Sequence, residues 1–130
     1  MFQNFIAKIR NIIADNTTLA LTDVFTPYLP QDDENICCVT LLAGSTINNL
    51  CELEYNDVVF RILVRGNSND TTTRALVDEI FTVLHLKTSV SFTGGKIINI
   101  VATSTPVYVG IDENERILYN ITFNAKVKGD

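Results

Sequence analysis

From Arg116 to Val127 the chain alternates without a break. Ile117, Tyr119, Ile121, Phe123, Ala125 and Val127 fall on one side, and Leu118, Asn120, Thr122, Asn124 and Lys126 on the other. Successive residues of a strand point to opposite faces, so this run predicts a long strand with one apolar and one polar face. Such a strand belongs in a sheet that is packed on one side and wet on the other, a habit of antiparallel sheets. Its apolar face needs a cover, and two segments can supply it. Phe2, Phe5, Ile6, Ile9, Ile12 and Ile13 recur at three- and four-residue spacing, which predicts an amphipathic helix over 2–14 that Asp15 and Asn16 end. Leu76, Val77, Ile80, Val83 and Leu84 predict a second helix over 72–86, with Asp70 or Thr71 placed to cap its free N–H groups. Asp78 and Glu79 lie early in it and His85 and Lys87 late, as the helix dipole favours. The expected fold class is α+β: a mainly antiparallel sheet with two helices packed on one face.

The rest of the chain reads more weakly. A short strand fits around Leu21–Phe25, and Pro27 and Pro30 each hold the preceding residue extended. Ile36–Leu42 is an apolar run without alternation, expected to be covered on both faces. Residues 43–56 read as a long loop, and Asp57–Arg65 as a strand with Val58, Phe60, Ile62 and Val64 on one face. Thr93-Gly94-Gly95 is a turn, and the strands Lys96–Ala102, Pro106–Val109 and Arg116–Val127 make up the C-terminal region 96–127. The 130 residues fit a single domain, 1–130, large enough for a core without a metal or disulfide staple.

Chemical equipment is sparse. There is one histidine, His85, and no GxSxG, HExxH, Walker or EF-hand pattern. Gly94-Gly95 precedes a strand, so it is no phosphate cradle. Cys37 and Cys38 are adjacent and should point to opposite faces; with Cys51 they read as buried free thiols of a reducing compartment. Ten Lys and Arg stand against fifteen Asp and Glu, for a net charge of −5. That balance disfavours a duplex-binding protein, which needs cations to displace counterions from phosphates. Asp112, Glu113 and Glu115 read as a turn kept soluble by charge. No apolar run approaches the ~18 residues of a membrane span, and the N-terminus lacks the layout of a secretory signal. A soluble cytoplasmic chain is expected, with no catalytic, cofactor-binding or metal-binding residues.

Two features stand above this background. Arg61 and Arg65 share a strand face with Leu63, and a charged pair there is expected to meet water or a partner, because burying an unpaired charge is costly. The loop 43–56 carries Asn48, Asn49, Glu52, Glu54 and Tyr55, and reads either as a segment that orders on assembly or as an idle insertion.

Taken together, Val64-Arg65-Gly66, the Asn67-Ser68-Asn69-Asp70 turn with its helix, the strand from Pro106 to Gly110, and the run Asp112-Glu113-Asn114-Glu115-Arg116 before the last strand resemble the phage minor capsid and tail terminator (tail completion) proteins of long-tailed phages. Arg65, Pro106, Gly110, Asp112, Arg116, Tyr119 and Asn120 match that pattern, while Glu115 stands where the family often has glycine.

The resemblance implies a structural virion protein at the tail–head junction, assembled in the host cytoplasm. It implies a homo-oligomeric ring, typically a hexamer, that caps the head-proximal end of the tail tube, ends its polymerisation and meets the head connector. DNA would pass through such a ring without sequence-specific binding. Asn48, Asn49, Glu52, Glu54, Tyr55, Arg61 and Arg65 are the candidate subunit or tube contacts. Two alternatives stay open: a head-completion or neck connector protein, and a small α+β ligand-binding domain or enzyme in which Cys51, Glu52, Glu54 and His85 would converge on a pocket.

Overall fold

The computed structural model describes residues 2–26, 28–31, 33–42, 46–48 and 55–129, excluding the side chains of residues 2, 46–48 and 55. The elements in chain order are α1 (Phe2–Asn16), a 3-10 turn (Leu21–Asp23), β1 (Val24–Phe25), β2 (Ile36–Leu41), β3 (Thr46–Asn48) and β4 (Tyr55–Arg65), then α2 (Asp70–Leu84), β5 (Thr88–Phe92), β6 (Gly95–Ala102), β7 (Val107–Ile111) and β8 (Ile117–Gly129). The architecture is α+β around a curled mixed sheet of eight strands. Its main path runs β1-β2-β4-β8-β6-β5, with β3 beside β4 and β7 beside β8. β1 runs parallel to β2, whereas β4 pairs antiparallel with both β2 and β8.

Strand β8 is the spine of the sheet. Phe60 faces Phe123, Ile62 faces Ile121 and Val58 faces Ala125 across the β4–β8 ladder, and all six side chains are buried. Register is specified because a one-residue slip would turn this whole set towards water. Phe5, Ile9 and Ile13 of α1 and Leu76, Val77, Ile80 and Leu84 of α2 join the same core cluster. Each such aliphatic or aromatic side chain stabilises the fold by about 1.5–3 kcal/mol on full burial. Phe60 lies at the centre, stacked on Phe123 with centroids 5.3 Å apart and edge-on to Phe5 at 5.6 Å.

The connection from β4 to α2 is tight. Gly66 lies so close to buried Thr73 that a Cβ at this position would come within 2.2 Å of its hydroxyl oxygen. Asn69 caps the helix, its side-chain oxygen accepting from the Thr72 N–H at 3.3 Å. The cap therefore sits one residue before the expected Asp70. Asp70 instead accepts from the Tyr119 hydroxyl at 3.0 Å and pairs with Arg74 at 2.6 Å.

The structure departs from the sequence reading in three other places. Part of the expected loop 43–56 is strand: Thr46–Asn48 pairs with the start of β4, whose ladder begins at Tyr55. Thr88–Phe92, to which the sequence reading assigns no element, is the edge strand β5, whose exposed serines blur its alternation. The expected strand at Leu21–Phe25 is a helical turn followed by two strand residues, because Asp23 folds back to accept from the Ala20 N–H at 3.1 Å. No helix among the described residues is long and apolar enough to cross a membrane.

Candidate assembly surface

Two guanidinium groups organise the corner where β4, β7 and β8 meet. Arg65 ends β4 and Arg116 immediately precedes β8, and they are only 6% and 5% exposed. Strand pairing puts Arg65 opposite Leu118, on the sheet face away from the core cluster, and residue 116 falls on that same face. A buried guanidinium must spend its donors on fixed acceptors. Arg116 gives its Nε to Asp112 Oδ2 at 2.8 Å, Nη1 to the Asp33 carbonyl at 3.1 Å and Nη2 to the Gln31 carbonyl at 2.7 Å. Arg65 gives Nε and Nη2 to the same Asp33 carbonyl at 3.0 and 2.7 Å, and Nη2 also to the Pro30 carbonyl. Its Nε lies 3.9 Å from Asp112 Oδ2. The two arginines thus clamp the backbone carbonyls of Pro30, Gln31 and Asp33 across this corner. Ile36, paired with Arg65 across the β2–β4 ladder, and Cys38 are buried on this side although they lie outside the core cluster.

Asp112 is the hub of the clamp. Burial pushes its carboxyl pKa up, but the backbone N–H groups of Arg116 and Asn114 and the Arg116 guanidinium outweigh this and hold it below the usual carboxylate value. A lowered folded pKa stabilises the native state above the unfolded value near ~4, and that contribution fades as pH falls through the folded value. Wild type should therefore lose more urea resistance than Asp112→Asn on going from about pH 5 to about pH 3. Equal losses in the two proteins would contradict the role given to this carboxylate.

The turn that carries Asp112 closes with the Glu115 N–H donating to the Asp112 carbonyl at 3.1 Å. Glu115 has φ 61°, the left-handed region that glycine enters without strain. At the position where the resembled family often has glycine, the chain keeps glycine geometry with a glutamate. Glu115→Gly should raise stability by about 0.5–1 kcal/mol, since relief of strain exceeds the added unfolded-state entropy. A thermal melt with an unchanged or lowered midpoint would contradict this.

The matched pair Arg61 and Arg65 splits. Arg61 is exposed on the outer sheet face, while Arg65 is a buried clamp with partners in its own chain. This corrects the expectation that both meet water or a partner: residues 30 and 33 supply Arg65 with backbone acceptors that no charge pattern reveals. Asn49, Glu52 and Glu54 lie outside the described residues, as does Cys51. Asn48 and Tyr55 are placed by backbone alone, facing each other in the β3–β4 ladder. Asp112, expected to be a solvated turn charge, is tied down, while the other two carboxylates of that turn, Glu113 and Glu115, are exposed.

Of the four residues expected to line an enzyme's pocket, only His85 lies among the described residues. Its Nδ1 accepts from the Ala102 N–H at 3.1 Å and its ring stacks on Phe81 at 4.9 Å, both structural contacts. Burial pushes the Cys37 and Cys38 thiols up, which disfavours the reactive thiolate. Among the described residues, no three His, Cys, Asp or Glu side chains are grouped to hold a metal ion.

One feature went unread in the sequence. Val107, Tyr108, Val109 and Ile111 are 51–58% exposed, so β7 is an apolar strand standing in water. Its one strand partner among the described residues is β8, in a ladder whose register shifts between Tyr108 and Gly110. An apolar edge of this kind is a site where another chain can pair or pack.

The family model described as "Bacteriophage tail terminator protein" matches residues 7–128. The chain belongs to the bacteriophage tail terminator proteins. A solved chain from "Virion of native gene transfer agent (GTA) particle" shares its fold, with a TM-score of 0.68 at 13% identity over 98% of this chain and 97% of that one. No curated protein matches the chain. Within the terminator's own structure, five of the residues that carried the family pattern have structural roles: Arg65, Asp112 and Arg116 form the clamp, Gly110 follows the register shift of β7, and Tyr119 ties β8 to α2. The chain is a phage tail structural protein.

Proposed function

We propose that the chain forms a ring that caps the head-proximal end of the tail tube, stops tube polymerisation and presents the joining surface to the head connector. The family match over residues 7–128 carries this reading. The exposed apolar strand beside a braced corner supports it, because a ring subunit must present a firm surface to its neighbours. The ring is a homo-oligomer, six subunits in the family's usual form, resident in the virion after assembly in the host cytoplasm. Its role is structural rather than enzymatic, and DNA passes through it without sequence-specific contacts. The subunit is a single domain in which both helices cover one face of a mainly antiparallel sheet, as their shared core cluster suggests.

Fluorescently labelled chain mixed with preformed tail tubes tests the reading by microscopy. Label at one end of each tube is the expected result. Label along the shaft, or none on tubes, contradicts it. Label confined to isolated head connectors favours a neck role instead.

A further inference from the structure

We propose that the β7 arm of one copy docks on the outer sheet face of the next copy, with Glu113 and Glu115 at its tip set against the cations of that face, Arg61, Lys96 and Lys126. The proposal deepens the ring reading and rests on it. Its first support is β7 itself: four large side chains, each more than half exposed, on a five-residue strand with an open edge. A monomer gains nothing from holding such a strand in water, so the arm is built for a partner.

Its second support is charge. The chain carries a net −5, yet the outer face of β4, β6 and β8 collects cations. Arg61, Lys96 and Lys126 are exposed there, in a strip that also shows Val101 at 40% exposure. Asp57 is the one carboxylate among the described residues of that face. The arm offers the complement: apolar side chains along its length and two exposed carboxylates at its tip. Both halves of the match are on this chain, which selects a second copy over an unrelated partner. The two surfaces differ, so the contact is head-to-tail, the kind that closes rings rather than twofold dimers.

Equal amounts of isotopically heavy and light protein are treated with a zero-length carbodiimide, in solution and on tail tubes, and the linked peptides are mapped by mass spectrometry. Heavy–light links from Glu113 or Glu115 to Lys96 or Lys126 are expected. Val109→Asp, exposed and so without effect on the melting temperature, should weaken self-association by about tenfold or more and remove those links. Arg61→Glu should weaken it similarly, and adding Glu113→Arg should restore much of the loss. Capping of tubes without heavy–light links, or full assembly of Val109→Asp, overturns this contact and leaves the ring reading standing. Links in solution from a protein that never engages tubes support the contact and overturn the function.

Discussion

Arg116→Ala is expected to destabilise the protein by about 3 kcal/mol, enough to lower the melting temperature by roughly 10 °C. The guanidinium is 5% exposed and makes three side-chain hydrogen bonds, to Asp112, Gln31 and Asp33. Its removal leaves a carboxylate without its closest cation and the Gln31 carbonyl without the donor that reaches it here. Buried polar groups stripped of partners are costlier than the lost bonds suggest. Arg116→Lys should recover little, since one ammonium cannot span the fork that reaches Asp112 and two carbonyls. Chemical denaturation of the three proteins measures this, and a loss below about 1 kcal/mol for Arg116→Ala would show that the clamp is a solvated contact.

Phe60→Ala is expected to cost about 4 kcal/mol. The ring is fully buried between Phe123 and Phe5, so truncation opens a cavity at the junction of α1 with the sheet. Neighbouring β-strands hold the walls of that cavity apart, which limits collapse into it. Phe60→Leu should cost much less, since it returns most of the volume. The urea midpoints of both variants decide the matter: equal losses would place the loss in aromatic geometry rather than in cavity volume.

The elements that the sequence made legible are those whose periodicity is long and one-sided. β8, β4 and both helices each carry several apolar residues at the right spacing, because one face of each meets the core. β3 and β5 were hidden for opposite reasons. Three residues of β3 are too few to show alternation, and β5 is an edge strand whose only apolar residues, Val90 and Phe92, stand among exposed serines and threonine. The apolar run of β7 looks in sequence like a buried strand; only the tertiary arrangement shows that its side chains stay more than half exposed, with Tyr108 resting edge-on against Tyr119. The clamp was half legible. Arg65, Asp112 and Arg116 stood out as residue types in a pattern, but their other partners are the carbonyls of residues 30, 31 and 33, which any side chain could have carried. Arg65 was therefore grouped with Arg61, although the first braces the fold and the second faces outward.

Tube length is the most direct readout of a terminator. Purified tail-tube protein is polymerised alone and with increasing amounts of this chain, and the length distribution is measured by negative-stain electron microscopy. Tubes grown with the chain should stop growing and carry extra density at one end, and Val109→Asp should restore open-ended growth. Tubes of the same length distribution with and without the wild-type chain, and with bare ends in both, would contradict its assignment to tube termination.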